Sequence, residues 1–392
     1  MVAIIPRSPG SAIQPRLVTS AASLVASASS LSSIAPTPSF RRPYIPRPNM
    51  KGLFAGSGNA SMSNPYIANA VIDLTQRRPE DLSLLYIGTA SYDIAKFRHM
   101  QTKTFKKMGV TVKSLNVANQ VVPKRGMEEA LDEADIILVS GGNTLFAIDR
   151  WEYLGLGDLL RDAALSGKVM AGGSAGAICW FDGGHSDSMD PETYRACMLN
   201  KFGGDNTVES RNPAESSSVR GSTSARSKSK PSYDIAEEGE TDVESDDEST
   251  NSSDWEYIRV EGLGIMPGLI CPHNDRIQSN GVLRMKDFET MMKRHPHEVG
   301  IGIDHYAALE FNGADFRVLS IPGQMGSIDV NDGGSNVPGV WVNYVDENGI
   351  VHSKVCPRSG KVHELLQTVE EPTKHLLLDK KVEICRRENP SS

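Results

Sequence analysis

KVMAGGSAGAICWF (residues 168–181) sets the reading of this chain. An apolar run, Lys168 to Ala171, meets Gly172-Gly173-Ser174-Ala175-Gly176 and continues into residues compatible with a helix. A buried strand that turns sharply into a helix at a serine has the form of a nucleophile elbow. The hydroxyl stands exposed on a strained corner, and small neighbours are required because the backbones on either side approach too closely for larger side chains. The helix expected after the turn adds unpaired N–H groups and a positive field beside the hydroxyl.

Working outward, strand-like runs recur on both sides of the turn and alternate with helical stretches. KGLFAG, LSLLYIG, GVTVKSL and ADIILVS predict strands, with helices over Pro65 to Thr75, Ile94 to Lys107, Met127 to Ala134 and Gly155 to Ala164. Such alternation indicates a mostly parallel sheet covered by helices. Beyond the turn, LGIMPG, VGIGID, AALEFN and FRVLSI read as strands, the last three spaced closely enough to predict antiparallel additions. VWVNYVDENGIVHSKV reads as a hairpin turning at Glu347, Asn348 and Gly349.

The flanks differ in composition. Residues 1–49 are rich in Ser, Ala and Pro and carry five arginines, and no acidic residue precedes Asp73. That composition fits an organellar transit peptide as well as it fits a disordered extension without an address. It leaves an intracellular setting that is cytoplasmic, or mitochondrial or plastid if the segment is an address. Residues 203–256 are Ser-rich, first basic and then strongly acidic, with too little apolar surface to offset ordering entropy. They predict a disordered insertion, read as a solvated acidic loop without a regulatory role in preference to one that accepts phosphates at Ser245 or Ser249. The catalytic domain is thus expected in two parts, 50–202 and 257–370, followed by a tail over 371–392.

The net charge of −8 and a pI near 5.7, with no basic stripe, argue against nucleic acid as a partner. No apolar run reaches the roughly 18 to 20 residues of a membrane helix. Five widely spaced cysteines, none in a CxxC pair, signal neither a disulfide scaffold nor a zinc site. No metal or cofactor is expected, and the oligomeric state is not legible.

A second glycine turn, Gly141-Gly142-Asn143-Thr144, closes the run ADIILVS. Acyl transfer needs two donors for the developing oxyanion. The N–H of Ala175 and one from Gly141 or Gly142 would supply them if the two strands are neighbours. A plain strand-to-helix turn capped by Asn143 or Thr144 has the same letters. Among nine histidines, His273 is best placed to activate Ser174, because IMPGLICPHND sets it at the end of an apolar strand. His305, after the strand end at Asp304, is the second candidate. The pairs His295/His297 and His352/His363 lie in polar surroundings typical of the surface, His99 sits on a helical stretch and His375 in the tail. For the acid that would orient the base, Asp182, Asp187, Asp190, Glu192 and Asp304 remain open.

Taken in order, GGNT, GGSAGAICWF with its GGHSDS continuation, the CPH strand end and GIGIDHYAALEF resemble the alpha-aspartyl dipeptidase (dipeptidase E) family and its cyanophycinase relatives. The likeness covers about residues 50–202 and 257–325. It implies an α/β three-layer sandwich akin to class I glutamine amidotransferases, with Ser replacing the usual Cys. It also implies a triad of Ser174, His273 and Asp187, and a short peptide substrate with aspartate first. Asn143-Thr144 after the paired glycines favours the dipeptidase branch over cyanophycinase. Asn274 stands where the family usually has an aromatic residue, which leaves the shape of the pocket open. An aspartyl pocket needs a cation, and Arg284, on an expected amphipathic helix, is preferred to Arg276. An esterase-like acyl hydrolase and an inactive peptide-binding homologue are the rival readings.

Overall fold

The computed structural model describes residues 41–188, 257–278, 281–326 and 336–369. The expectations for the N-terminal extension before residue 41, the 203–256 insertion short of Tyr257 and the 371–392 tail lie outside the described residues, as do those for Cys197, Cys385, Asp190, Glu192 and His375.

Five strands form a parallel core: β2 (Lys51–Ala55), β3 (Ser83–Ile87), β4 (Thr111–Ser114), β5 (Ile136–Val139) and β6 (Val169–Gly173), in the order β2-β6-β5-β3-β4. Along each central strand, successive residues bury on opposite faces, as the two-residue period of a strand requires. Phe54, Leu85, Ile87, Ile137, Val139 and Met170 join one apolar cluster. Leu53, Ala55, Leu84, Tyr86, Ile136 and Leu138 join another. Burial on both faces is the reason these strands read as continuous apolar runs rather than alternating ones.

Helices cover both faces. On one lie α1 (Pro65–Asp73) and α2 (Ala95–Lys107), which contribute Ile67, Val71 and Phe105. Asn64 starts α1 by accepting the Tyr66 N–H at 2.9 Å, with Pro65 at the first helical position, where its missing N–H costs nothing. On the other face lie α3 (Lys124–Asp132), α4 (Thr144–Leu154) and α5 (Leu156–Leu165).

The sheet is extended antiparallel beyond β2 by β11 (Ala307–Asn312), β12 (Asp315–Ser320) and β15 (Ser359–Lys361), giving eight strands. The predicted C-terminal additions are therefore present for AALEFN and FRVLSI. VGIGID departs from the expectation. It forms β10 (Gly300–Ile303), parallel to β9 (Met266–Cys271), in a second sheet of six strands. That sheet also holds β7 (Phe181–Ser186), β8 (Ile258–Glu261), β13 (Val340–Val345) and β14 (Val351–Val355). The predicted hairpin is β13 with β14, in register Val345 to Val351. A short pair, β1 (Arg41–Pro43) with β16 (Gln367–Val369), completes the described strands.

The mostly parallel sheet is thus present, and a second sheet packs on it across a shared core. Phe54 of β2 meets Phe181 of β7 edge-on at 5.1 Å, and Ile270 and Ile301 fall in the same cluster. The outer face of the second sheet is covered by α7 (Arg284–Arg294) through Phe288, Met291 and Met292. One smaller expectation also changes. His295 is buried, beside Glu298 at 3.5 Å, because the Arg259–Glu298 ion pair builds a polar pocket beneath it. Cys179, Cys271 and Cys356 are buried free thiols. Among the described residues no helix is long and apolar enough to cross a membrane.

Candidate active site

At the C-terminal end of β6, Ser174 adopts φ 57° and ψ −127°, a conformation that a residue with a Cβ occupies only under strain. The glycines around it are dictated by contact. A Cβ on Gly172 would stand 2.3 Å from the Gly176 carbonyl oxygen, one on Gly173 2.0 Å from that of Ser57, and one on Gly176 2.2 Å from that of Val139. Residues 171–173 and 175–181 are buried, while Ser174 keeps part of its surface open. The helix expected after the serine is a single turn, α6 (Ala175–Ile178), before the chain enters β7. The predicted helix field is reduced to that turn.

The condition set for the oxyanion donors is met. β5 and β6 are parallel neighbours, with Val139 opposite Gly172. A Cβ on Gly141 would lie 3.4 Å from the Ser174 Cβ, so the paired-glycine turn runs alongside the serine. Gly142 has φ 129°, and a Cβ there would lie 2.2 Å from the Ala90 carbonyl oxygen. Asn143 and Thr144 are fully buried. Asn143 takes the capping role, its Oδ1 accepting the Phe146 N–H at 2.9 Å. The N–H groups of Thr144 and Leu145 are taken by Ser188 Oγ at 2.9 and 3.3 Å, a contact that the sequence reading missed.

His273 follows β9, also at positive φ (51°). Its N–H donates to the Gly56 carbonyl at 3.1 Å, and the N–H of Ser174 donates to the carbonyl of Ala55 at 3.2 Å. Two consecutive carbonyls at the end of β2 therefore fix the serine of one sheet and the histidine of the other. Asn274 turns inward. Its Nδ2 donates to Asp304 Oδ1 at 3.1 Å, and Asp304 also accepts from Trp341 Nε1 and the Gly339 N–H. Burial pushes the Asp304 carboxyl up to about 6.

The Nδ1 of His273 lies 2.8 Å from the Nδ1 of His305. This partnership follows from β9 and β10 running parallel with Cys271 opposite Gly302, so their C-terminal loops emerge side by side. His273 as a residue keeps part of its surface open, yet the pKa of its ring is held well below the ordinary imidazole value. Burial is the largest cause, followed by His305, Arg284 and Arg276.

Asp187, expected to orient His273, is exposed just after β7. Its charge acts on Arg284 and His185. Arg284 is buried at the start of α7. Its guanidinium donates to the His185 carbonyl at 2.8 Å and lies over the Tyr257 ring at 5.0 Å. Burial alone would lower its pKa, but Asp187 first, then Cys271 and Tyr257, raise it instead. His185, not singled out by the sequence, is fully buried against Tyr257, with Nε2 3.6 Å from Asp287 Oδ2, beyond hydrogen-bond range.

Comparison with known proteins shows what the chain is similar to. Over 145 residues the chain is 33% identical to the uncharacterized peptidase YgaJ of Bacillus subtilis (strain 168), covering 37% of this chain and 62% of that relative. Over 340 residues it is 28% identical to a Trypanosoma brucei brucei protein named G2/mitotic-specific cyclin-1, covering 81% of this chain and 88% of that one. That name is a statement about the trypanosome protein alone. The crystal structure of a peptidase from an acI-B1 Actinobacterium matches with a TM-score of 0.44 and 15% identity, over 80% of this chain and 98% of that one. Residues 53–209 match the model of peptidase family S51, a span that holds both the paired-glycine turn and the strained serine corner. Over that span the chain is similar to peptidase family S51, and the family model and the peptidase relative together support a dipeptidase E-like peptidase.

Proposed function

We propose that the chain is a serine-type peptidase acting on short peptides through an acyl-enzyme, with Ser174 as nucleophile and His273 as general base. The observation that carries this reading is Ser174 itself: a strained, partly open serine enclosed by glycines whose side-chain positions are occupied by backbone. Strain of this kind, about 1–3 kcal/mol, persists where the surroundings enforce it. Packing alone gives no reason to spend it on a serine.

In the reaction, Ser174 Oγ attacks the scissile carbonyl as its proton passes to His273 Nε2. The carbonyl electron pair moves onto oxygen, opposite the N–H of Ala175 and that of Gly141 or Gly142. Collapse expels the amine, which takes the proton from His273, and water then cleaves the ester by the same route. The likeness to the sandwich of class I glutamine amidotransferases, with Ser for Cys, belongs to the same reading.

The preference for N-terminal aspartate rests on Arg284, the buried cation whose charge reaches His273, with Asp187 beside it. A panel of dipeptides tests this. Asp-Leu should be cleaved best, and Arg284→Met should lower kcat/KM for Asp-Leu on the order of 10²-fold, the loss of a charge-assisted pair, while Ala-Leu changes little. Equal loss on both peptides would make Arg284 a clamp between α7 and β7 and remove it from selectivity. Asp187→Asn, assayed in parallel, tests whether that carboxylate acts through Arg284, the expected outcome being a fall in turnover on Asp-Leu.

A further inference from the structure

The partner at His273 Nδ1 is an imidazole, and the geometry points to His305 as the positioning residue that fixes the tautomer of His273. The inference rests on the reading of His273 as the base for Ser174. Two ring nitrogens 2.8 Å apart can share one proton but cannot both carry one. For His273 to accept the serine proton at Nε2, its Nδ1 must be protonated. His305 Nδ1 must then be the bare acceptor, with the His305 proton on its Nε2. The opposite arrangement protonates His273 Nε2 and silences it.

His305 is held for this role from several sides. Its N–H donates to the fully buried Asp275 Oδ1 at 2.7 Å, its carbonyl accepts from Ser61 Oγ at 3.4 Å, and the Tyr306 ring stands edge-on at 4.6 Å. Asp304, the neighbouring carboxylate, is turned to Asn274, Trp341 and Gly339. When the serine proton arrives, the Nδ1–H of His273 still points at a bare nitrogen, so the imidazolium keeps its hydrogen bond and no second proton has to move.

A neutral acceptor has a consequence that a carboxylate does not. Arg276, Arg284 and the second ring all disfavour protonation of His273, and Asp275 Oδ1 accepts the backbone N–H of His305. The first proton to enter the pair stops the base, so the acid limb of activity should lie at low pH. Replacing His305 by a carboxylate should attract that proton and move the limb up.

The test follows the rate at which a fluorophosphonate labels Ser174, as a function of pH, in the full chain. His305→Leu should slow labelling at neutral pH by about 10²-fold or more, a fraction of what a wrong tautomer costs in a serine triad. His305→Asn, whose amide oxygen can take the acceptor position, should restore most of the rate. His305→Asp should keep labelling but raise its acid limb by about one pH unit. A His305→Leu rate equal to wild type, or an acid limb that His305→Asp leaves in place, overturns the inference while the serine reading stands. If His305→Leu fails to fold, the Asn and Asp variants decide alone. A wild-type chain that is not labelled at all overturns both.

Discussion

Replacing Ser174 by glycine should abolish activity and stabilise the protein, whereas Ser174→Ala should abolish activity and leave stability near wild type. The difference is the Cβ. At φ 57° and ψ −127° a residue with a Cβ stores about 1–3 kcal/mol, and alanine keeps that strain. Glycine releases it but gains freedom in the unfolded chain, which returns about 0.5–1 kcal/mol. The net gain of glycine over alanine is therefore about 0–2.5 kcal/mol. At ~2–4 °C per kcal/mol for a domain of this size, the Tm should rise by a few degrees. Calorimetry on the two variants, with urea titrations to check that the m value is unchanged, measures it. A glycine variant less stable than the alanine variant by the full backbone term of about 0.5–1 kcal/mol would show that the corner is unstrained, and the physical argument for a nucleophile there would fall.

Two further outcomes follow from packing and charge. Gly173→Ala places a Cβ 2.0 Å from the Ser57 carbonyl oxygen and 3.0 Å from Gly58 Cα, both backbone, so overpacking should cost about 1–3 kcal/mol or more and displace Ser174; a thermal melt at wild-type Tm would contradict it. His185, buried, has its pKa lowered to about 4 by burial, with Arg284 adding to the effect and Asp287 opposing it. Its folded pKa lies below its unfolded value near 6.5, so stability is fully present above about 6.5 and is lost as pH falls toward 4. The loss reaches about 3 kcal/mol at about 1.4 kcal/mol per pKa unit. His185→Phe should flatten that part of the pH–stability curve, and an unchanged slope would assign the acid sensitivity to other groups.

Much of the parallel core was legible because its strands bury both faces, so Leu53 to Ala55 or Ile136 to Val139 had to be apolar throughout. The elbow was legible for a related reason: only glycine fits where the backbones of Ser57, Val139 and Gly176 approach. What stayed hidden depends on contacts distant in sequence. β7 contains Gly183 and Gly184 because Val260 and Ile270 carbonyls crowd them, and a glycine pair hides the strand period. The burial of His295 depends on Arg259 and Glu298 meeting beneath it, which KRHPHE does not reveal. His305 was noticed as the second histidine at a strand end, but its meeting with His273 required the β9–β10 register. Asn274, unexpected after the histidine, proves to tie that loop to Asp304.

The central claim is that Ser174 is a live nucleophile. Intact mass after fluorophosphonate treatment, with peptide mapping, tests it most directly. One adduct per chain on the peptide containing Ser174, absent in Ser174→Ala and much slowed in His273→Ala, is the predicted result. No adduct on the folded wild-type chain, or one that persists in Ser174→Ala, would contradict it.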